Sequence, residues 1–541
     1  MKVSAAIADI LAREGIDVIF GYPRNPVLEQ AAAIGIRPII VRQERTGLHM
    51  ADAFSRMSRG RRMGVFAMQH GPGTENAYGG VAQAYAESVP VLVLPQGYPR
   101  RTAFVPDNYN ATVSMRTVAK TVEPVLLPEE TPNILRRAFT QLRNGRFRPV
   151  IVEVPLDVAE EEVGDFAYEP VVRTRSAPDP DAVDAAARTL VAARRPVIHA
   201  GQGIHWAEAY AELKALAELL AAPVSTSLEG KSAFDETHPL ALGSGGAAIP
   251  RTVRHFLDEA DVILGIGCSF SDTSFGVRMP EGKAVIHATL DPADLNKKVV
   301  CQQALIGDAR LTLAMLIDAC RALIDAPRDP APVAAEIKAV EADWLAEWLP
   351  LLESNDAPIS PYRVLWELQR TVDVANTIIT HDAGSPRDQL SPYWKSIAPL
   401  SYIGWGKSTQ LGYGLGLAMG AKLACPDKLC INVWGDAAIG FTGMDFETAV
   451  RERLPILSIL LNNHSMAIEL PIMPVATDRF RSTDISGDYA AFARALGGHG
   501  ERVERPEDIA EAIRRGIAAT EAGQPALIEF MTARETRASR L

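Results

Sequence analysis

The sequence predicts an α/β protein built as three α/β domains, each with a mostly parallel sheet. Three observations lead there. Residues 1–165 alternate short apolar runs of strand length with stretches at helical spacing, and residues 181–330 do so again. Between them, FAYEPVVRTRSAPDP (166–180) is polar and proline-rich, as a linker is. Within 358–541, Cys430–Trp434 and Ile456–Leu461 are apolar runs flanking Phe446, Ala449, Val450 and Leu454 at helical spacing, which makes a strand, helix, strand unit. A chain of 541 residues is long for one core and suits about three domains.

The amino terminus, MKVSAAIADILAREG, is interrupted by Asp9, Arg13 and Glu14. It reads as a first helix, neither signal peptide nor membrane span. Val18–Phe20, Pro38–Arg42, Met63–Met68 and Val89–Leu94 are strand-like, and Leu48, Ala51, Phe54 and Met57 mark a helix face ending near Gly60. Glu44 falls just past the second strand and before that helix, where an acid is also favoured by the helix dipole. The loop QHGPGTENA (69–77) follows the third strand. Its Gly71 and Gly73 let backbone approach a neighbour closely, and Pro72 fixes the turn.

In the middle domain Pro196–Ala200, Asp261–Ile266 and Ala284–Leu290 read as strands. The glycines at 201, 203, 265 and 267 do not complete G-x-G-x-x-G. A second linker is expected over 325–357, carrying the amphipathic positions Val340, Trp344, Trp348 and Leu351. In the third domain Thr377–Thr380 is a strand, and HDAGSPRD after it puts Gly384, Ser385 and Arg387 at its carboxyl edge, where amides and a guanidinium could meet a diphosphate. QLGYGLGLAMG carries four glycines, Gly412, Gly414, Gly416 and Gly420, each costing a helix about 1 kcal/mol relative to alanine. Backbone there must pass close to a neighbour, either a ligand or a tightly packed sheet.

A net charge of −11 argues against a nucleic-acid partner. Hydrophobic and charged contents of 47% and 22% are those of an ordinary soluble protein, and five scattered cysteines fit a reducing cytoplasm. The sharpest chemical signal lies in the strand, helix, strand unit. A right-handed crossover lays its strands parallel, so Asp436 and Asn463, 27 residues apart, both emerge at the carboxyl edge. A carboxylate and an amide oxygen meeting there can hold a hard cation such as Mg2+, which keeps other positions for water and phosphates.

These residues carry a resemblance. GDAA at 435–438 followed by LNN at 461–463 resembles the GDG-to-NN diphosphate motif of thiamine diphosphate (ThDP) enzymes, with Ala437 where that family usually has glycine. VRQERTGLHMADAFSR resembles the segment bearing their catalytic glutamate, and QHGPGTENA resembles the GPGATN loop of acetolactate synthase-like enzymes. NNHSMAIE resembles the NNDGYTIE segment of pyruvate decarboxylases. The chain is thus similar, over nearly its whole length, to acetolactate synthase-like and pyruvate or benzoylformate decarboxylase-like proteins.

The resemblance implies ThDP and Mg2+ as cofactors. It implies Asp436, Asn463 and the main-chain oxygen of Ser465 as metal ligands. Gly21, Pro23, Glu44, Gly73, Asn76, Gly384, Ser385, Leu411, Gly435, Asp436, Ala437, Ala438, Asn463 and Met466 would contact the cofactor, with Leu411 wedging it into its bent form. Glu44 would share a proton with the pyrimidine ring, Glu469 would be an acid/base group at the reacting carbon, and His70 would border the site. FAD is not expected, because GCSFSDTSFG lacks the arginine of FAD-binding relatives; ADP or CoA in the middle domain stays open. A homodimer or homotetramer is implied, with active sites at the dimer interface. The activity expected is cleavage or formation of a carbon–carbon bond next to a carbonyl, as a 2-oxo acid decarboxylase or carboligase. The competing readings are a 2-hydroxyacyl-CoA lyase or oxalyl-CoA decarboxylase-like enzyme and a non-catalytic ThDP-binding relative. For the CoA reading, Arg534, Arg537 and Arg540 would lie near one face of a helical tail closing over the substrate.

Overall fold

The computed structural model describes residues 1–540, and the chain forms two compact units. The first takes Met1–Thr174 together with Gly412–Asp427 and Phe441–Leu454; the second takes Arg175–Leu411, Lys428–Gly440 and Pro455–Leu541.

The first unit contains one six-stranded parallel sheet: β1 (Val18–Gly21), β2 (Arg37–Ile40), β3 (Gly64–Met68), β4 (Val91–Gly97), β5 (Thr121–Pro124) and β6 (Val150–Pro155), in the order β2-β1-β3-β4-β6-β5. β1, β3, β4 and β6 are buried along their whole length, as strands covered by helices on both faces must be. The strand order reverses between β1 and β3. That opens a crevice at their carboxyl ends, beneath the 69–77 loop.

The second unit contains two more parallel sheets. The middle one comprises β7 (Pro196–Ala200), β8 (Val224–Ser227), β9 (Ala241–Gly245), β10 (Val262–Ile266), β11 (Ala284–Thr289) and β12 (Gln303–Ile306), ordered β12-β11-β10-β7-β8-β9. Its glycines are consumed by packing. A Cβ on Gly201 would stand 2.4 Å from the Gly267 carbonyl, one on Gly203 2.6 Å from the Gly267 Cα, and one on Gly265 2.2 Å from the Phe270 ring. The third sheet comprises β13 (Thr377–His381), β14 (Tyr402–Ile403), β15 (Leu429–Gly435), β16 (Leu457–Asn462), β17 (His499–Val503) and β18 (Ala526–Met531), ordered β14-β13-β15-β16-β18-β17. Here the order reverses between β13 and β15, which brings the turn at 384–385 and Asp436 to one crevice.

Three expectations need correction. The segment expected to be a linker over 325–357 forms the helix Ala331–Leu352, because Trp344 and Trp348 bury against Tyr362 and Tyr393; the Trp344 and Tyr393 rings stack 4.9 Å apart. The glycine-rich helix Tyr413–Ala424 packs on a helix, not on a sheet. A Cβ on Gly416 would stand 2.4 Å from the His49 Cβ, and one on Gly420 2.2 Å from the Met50 carbonyl, both on the Glu44–Met57 helix. The tail after β18 is not helical either. Ser539 accepts the Trp344 indole N–H at 2.9 Å and donates to the Ile249 carbonyl at 2.7 Å, and the Tyr362 hydroxyl donates to the Arg537 carbonyl at 2.6 Å. Its arginines are occupied. Arg534 donates to the carbonyls of Asn463 and His464 and to Asp484, Arg537 pairs with Glu535, and Arg540 reaches the buried Asp388 at 2.7 Å. Among the described residues no helix is long and apolar enough to cross a membrane.

Candidate active site

In the second unit, the ends of β13, β15 and β16 enclose a cavity of about 190 Å3. Gly384, Ser385, Leu411, Gly435, Asp436, Ala437, Ala438, Asn463, Ser465, Met466 and Glu469 all line it, with Phe275, Arg387 and Thr532. β15 is a largely buried strand that ends at Gly435, so Asp436 is delivered at the first position of the helix Asp436–Thr442. Its carboxylate accepts the Ala437 N–H at 2.9 Å and the Ser465 N–H at 3.0 Å. Burial raises its pKa above the ordinary carboxyl value, and the backbone donors of Ser465, Ala437 and Asn463 work against that rise. The Tyr489 hydroxyl donates to the Asp436 carbonyl at 3.2 Å and fixes the turn from behind.

β16 leads into two asparagines with different tasks. Asn462 is structural: its amide donates to the buried Glu529 at 2.7 Å, and its oxygen accepts the His464 N–H at 3.0 Å. Strand alternation turns Asn463 the other way. Its side-chain oxygen is buried, lines the cavity and has no hydrogen-bond partner, and the Ser465 hydroxyl is likewise buried and unpartnered. A buried amide oxygen left unpaired costs about 1–3 kcal/mol. Beside a carboxylate whose charge burial already opposes, it fits a cation that supplies what both oxygens lack. Among the described residues there is no cluster of three His, Cys, Asp or Glu side chains. The donor set is therefore one carboxylate, one amide oxygen and serine oxygens, which suits a Mg2+ completed by phosphate and water rather than zinc.

Ala437, where the resemblance leads one to expect glycine, has no left-handed backbone; it lies inside the helix Asp436–Thr442, a geometry alanine adopts freely. Gly384 does have a left-handed φ of 82°, with open space where a Cβ would stand, so backbone conformation alone calls for glycine there. Glu469 sits at the end of a short 3-10 turn, Ala467–Glu469, half-buried against the cavity.

The first unit holds the second group of residues. Glu44 opens the helix Glu44–Met57, is buried, and is hydrogen-bonded by Asn76. Burial raises its pKa first of all; its own backbone N–H and Asn76 oppose this, and Asp445 adds to it. A Cβ on Gly73 would stand 3.3 Å from the Glu44 carboxylate and 2.8 Å from the Gln69 side chain, so the glycine is what lets the loop close over the acid. Asp445 joins this group without any signal in the sequence: it accepts the Arg42 N–H at 2.7 Å and anchors the approach to Glu44. No motif marks it, since its partner lies some four hundred residues earlier.

His70 stands apart from Glu44 in its contacts. Its Nδ1 is 3.4 Å from the Gln96 amide oxygen and its ring meets Tyr98 edge-on at 4.7 Å. Gly21, at the end of β1, is pressed against the Ala67 carbonyl, 2.7 Å from where a Cβ would be, and Pro23 is exposed in the turn that follows.

Comparison with known proteins points the same way. The N-terminal TPP binding domain model of thiamine pyrophosphate enzymes matches residues 1–108, the central domain model 183–316, and the C-terminal TPP binding domain model 382–530. A probable acetolactate synthase large subunit of Methanocaldococcus jannaschii is 30% identical, over 96% of this chain and 90% of that protein. A probable 2-ketoarginine decarboxylase of Pseudomonas aeruginosa is 31% identical, over 95% of this chain and 91% of that protein. The crystal structure of benzoylformate decarboxylase from Polynucleobacter necessarius superposes with a TM-score of 0.85 at 20% identity, covering 99% of this chain and all of that one, a likeness of fold.

Proposed function

Because the chain belongs to the thiamine pyrophosphate (ThDP) enzyme family, we propose that it is a ThDP- and Mg2+-dependent 2-oxo acid decarboxylase or carboligase. The observation that carries the site is the unpartnered Asn463 oxygen beside the Asp436 carboxylate, buried in one cavity at a sheet switch point. When bound, ThDP supplies the electron sink for the carbanion left as a bond next to a carbonyl is cleaved.

In this reading Asp436, Asn463 and Ser465 hold Mg2+ and through it the diphosphate, while Gly384, Ser385, Gly435, Ala437 and Ala438 let backbone close around it. Leu411 and Met466 supply apolar walls. Glu44 holds a proton against a ring nitrogen of the pyrimidine, a task suited to a carboxyl whose pKa burial has raised. Gly73 and Asn76 keep it oriented, and Gly21 and Pro23 border the same crevice. Glu469 moves a proton at the reacting carbon, and His70, held by Gln96, borders the substrate. In this reading the site is completed at an interface between two copies of the chain, so the working form is a homodimer or homotetramer. Five cysteines scattered along the sequence without a paired framework suit a reducing cytoplasm.

The names of the two sequence relatives, an acetolactate synthase and a 2-oxo acid decarboxylase, support a free 2-oxo acid as substrate. The test is to supply the purified protein with ThDP and Mg2+, offer a panel of 2-oxo acids with and without a second carbonyl compound, and identify products by mass. Carbon dioxide with an aldehyde or an acyl-transfer product is the expected result. Turnover of 2-hydroxyacyl-CoA esters alone would overturn it.

A further inference from the structure

Arg387 is a residue the proposed chemistry does not use, yet it lines the cavity and is 1% exposed. Its Nε donates to Asp388 at 2.8 Å, its guanidinium carbon lies 4.2 Å from the centre of the Phe275 ring, and its Nη2 is buried with no hydrogen-bond partner. A guanidinium held on one side by a carboxylate and on its face by an aromatic ring is immobilised. An immobilised cation with an empty donor is a receptor for an oxyanion.

The charge balance makes that receptor positive. Asp388 is itself shared, because Arg540 takes its second oxygen at 2.7 Å, so two guanidinium groups face one buried carboxylate. A diphosphate carries more negative charge than a single divalent cation neutralises, and Asp436 adds its own. Arg387 follows the Gly384–Ser385 turn by only two residues, at the same strand edge.

We propose that Arg387 is an anion anchor that takes an oxygen of the cofactor's diphosphate, with Asp388 and the tail residue Arg540 as positioning residues. This rests on the reading of the cavity as the diphosphate site. The sequence puts its guanidinium at the strand edge beside Gly384 and Ser385; the buried empty donor is what adds a ligand for it.

The experiment is calorimetry on cofactor-free protein in Mg2+, titrated with ThDP and separately with inorganic pyrophosphate. Arg387→Met is expected to weaken both ligands about 10- to 100-fold, the range of one charge-assisted hydrogen bond. Arg387→Lys keeps the charge without the planar fork and should fall between. Should Arg387→Met fail to fold with Asp388 left less compensated, Arg387→Met with Asp388→Asn removes both charges of the buried pair, and the same weakening is expected. Affinity for both ligands within about twofold of the parent overturns the anchor while leaving the cavity reading intact. A parent protein that binds neither ligand, with or without Mg2+, overturns the cavity reading itself.

Discussion

The Ser465 N–H donates to the Asp436 carboxylate at 3.0 Å, tying the end of β15 to the turn after β16 before any cation arrives. Burial keeps the Asp436 carboxyl above its ordinary pKa, so its protonated form persists to higher pH and competes with a metal ion. Mg2+-dependent ThDP binding should therefore weaken as pH falls through the weakly acidic range, with proton release on binding. Asp436→Asn should lose both the affinity and its pH dependence. Calorimetry in buffers of different ionisation enthalpy measures the released proton; an unchanged affinity in the variant would remove Asp436 from the metal site.

Glu44→Gln should separate function from stability. The carboxyl's pKa is raised in the folded state, so the ionised form opposes folding once pH exceeds the unfolded value, and the penalty grows until the folded pKa is passed. Glutamine keeps the shape and can still meet Asn76. Thermal stability at neutral pH should be equal to or higher than the parent's, with the difference shrinking towards about pH 4. Turnover and proton exchange at the cofactor C2 position should be lost. Parent-like exchange would reduce Glu44 to a helix-start acid.

Much of the fold is legible in the sequence because the central strands are continuous apolar runs: β1, β3, β4, β7, β10, β11, β13, β15 and β16 all fall on expected segments. Of the edge strands only β2 is signalled. β5, β9, β12, β14 and β17 are short or only partly buried, so neither an apolar run nor a clean alternation marks them. β6 and β18 escape a sequence reading although largely buried, since a short apolar run alone does not distinguish strand from core helix, and β8, Val-Ser-Thr-Ser, is largely buried without any apolar run to mark it. Residues gathered by one motif, such as Asp436 and Ala438, converge in the cavity as local spacing implies. Arg387 arrives with Gly384 and Ser385 as the HDAGSPRD segment implies, whereas Phe275 and Thr532 reach the cavity from separate stretches, which no local pattern can announce.

The glycines of the helix Tyr413–Ala424 give a packing prediction. Gly420→Ala places a methyl group 2.2 Å from the Met50 carbonyl, a backbone atom that cannot swing aside. Destabilisation of about 1–3 kcal/mol is expected. Gly440→Ala, with nothing within 4 Å in the helix Asp436–Thr442, should be neutral or stabilising by about 0.4–1 kcal/mol. Chemical denaturation of the two variants decides it, and equal effects would contradict the close helix contact.

Glu469 lines the cavity beside Met466 and Asn463. If it moves a proton at the reacting carbon, Glu469→Gln should slow turnover by roughly 10²–10⁴-fold while leaving ThDP affinity near the parent's, because it takes no part in holding the diphosphate. Steady-state rates across pH, paired with cofactor calorimetry, test both halves. An unchanged rate and pH profile would return Glu469 to a plain cavity-wall acid.

The carboxy-terminal tail supplies the last prediction, about stability. Burial disfavours the charged form of Asp388, but Arg387 and Arg540 outweigh it and hold its carboxyl below the ordinary value. Stability from such a group is present above the unfolded pKa and is lost as pH falls through the folded one. Arg540→Ala should thus lower stability at neutral pH by about 1 kcal/mol, the low end for a charged hydrogen bond because the guanidinium is half exposed. The gap between variant and parent should close below about pH 4. Deleting residues 534–541 should cost more, since Ser539 also leaves Trp344 and Ile249. With those arginines paired inside the fold, the deletion should alter a free 2-oxo acid and a CoA ester to the same degree. A loss confined to the CoA ester would restore the tail as a substrate lid.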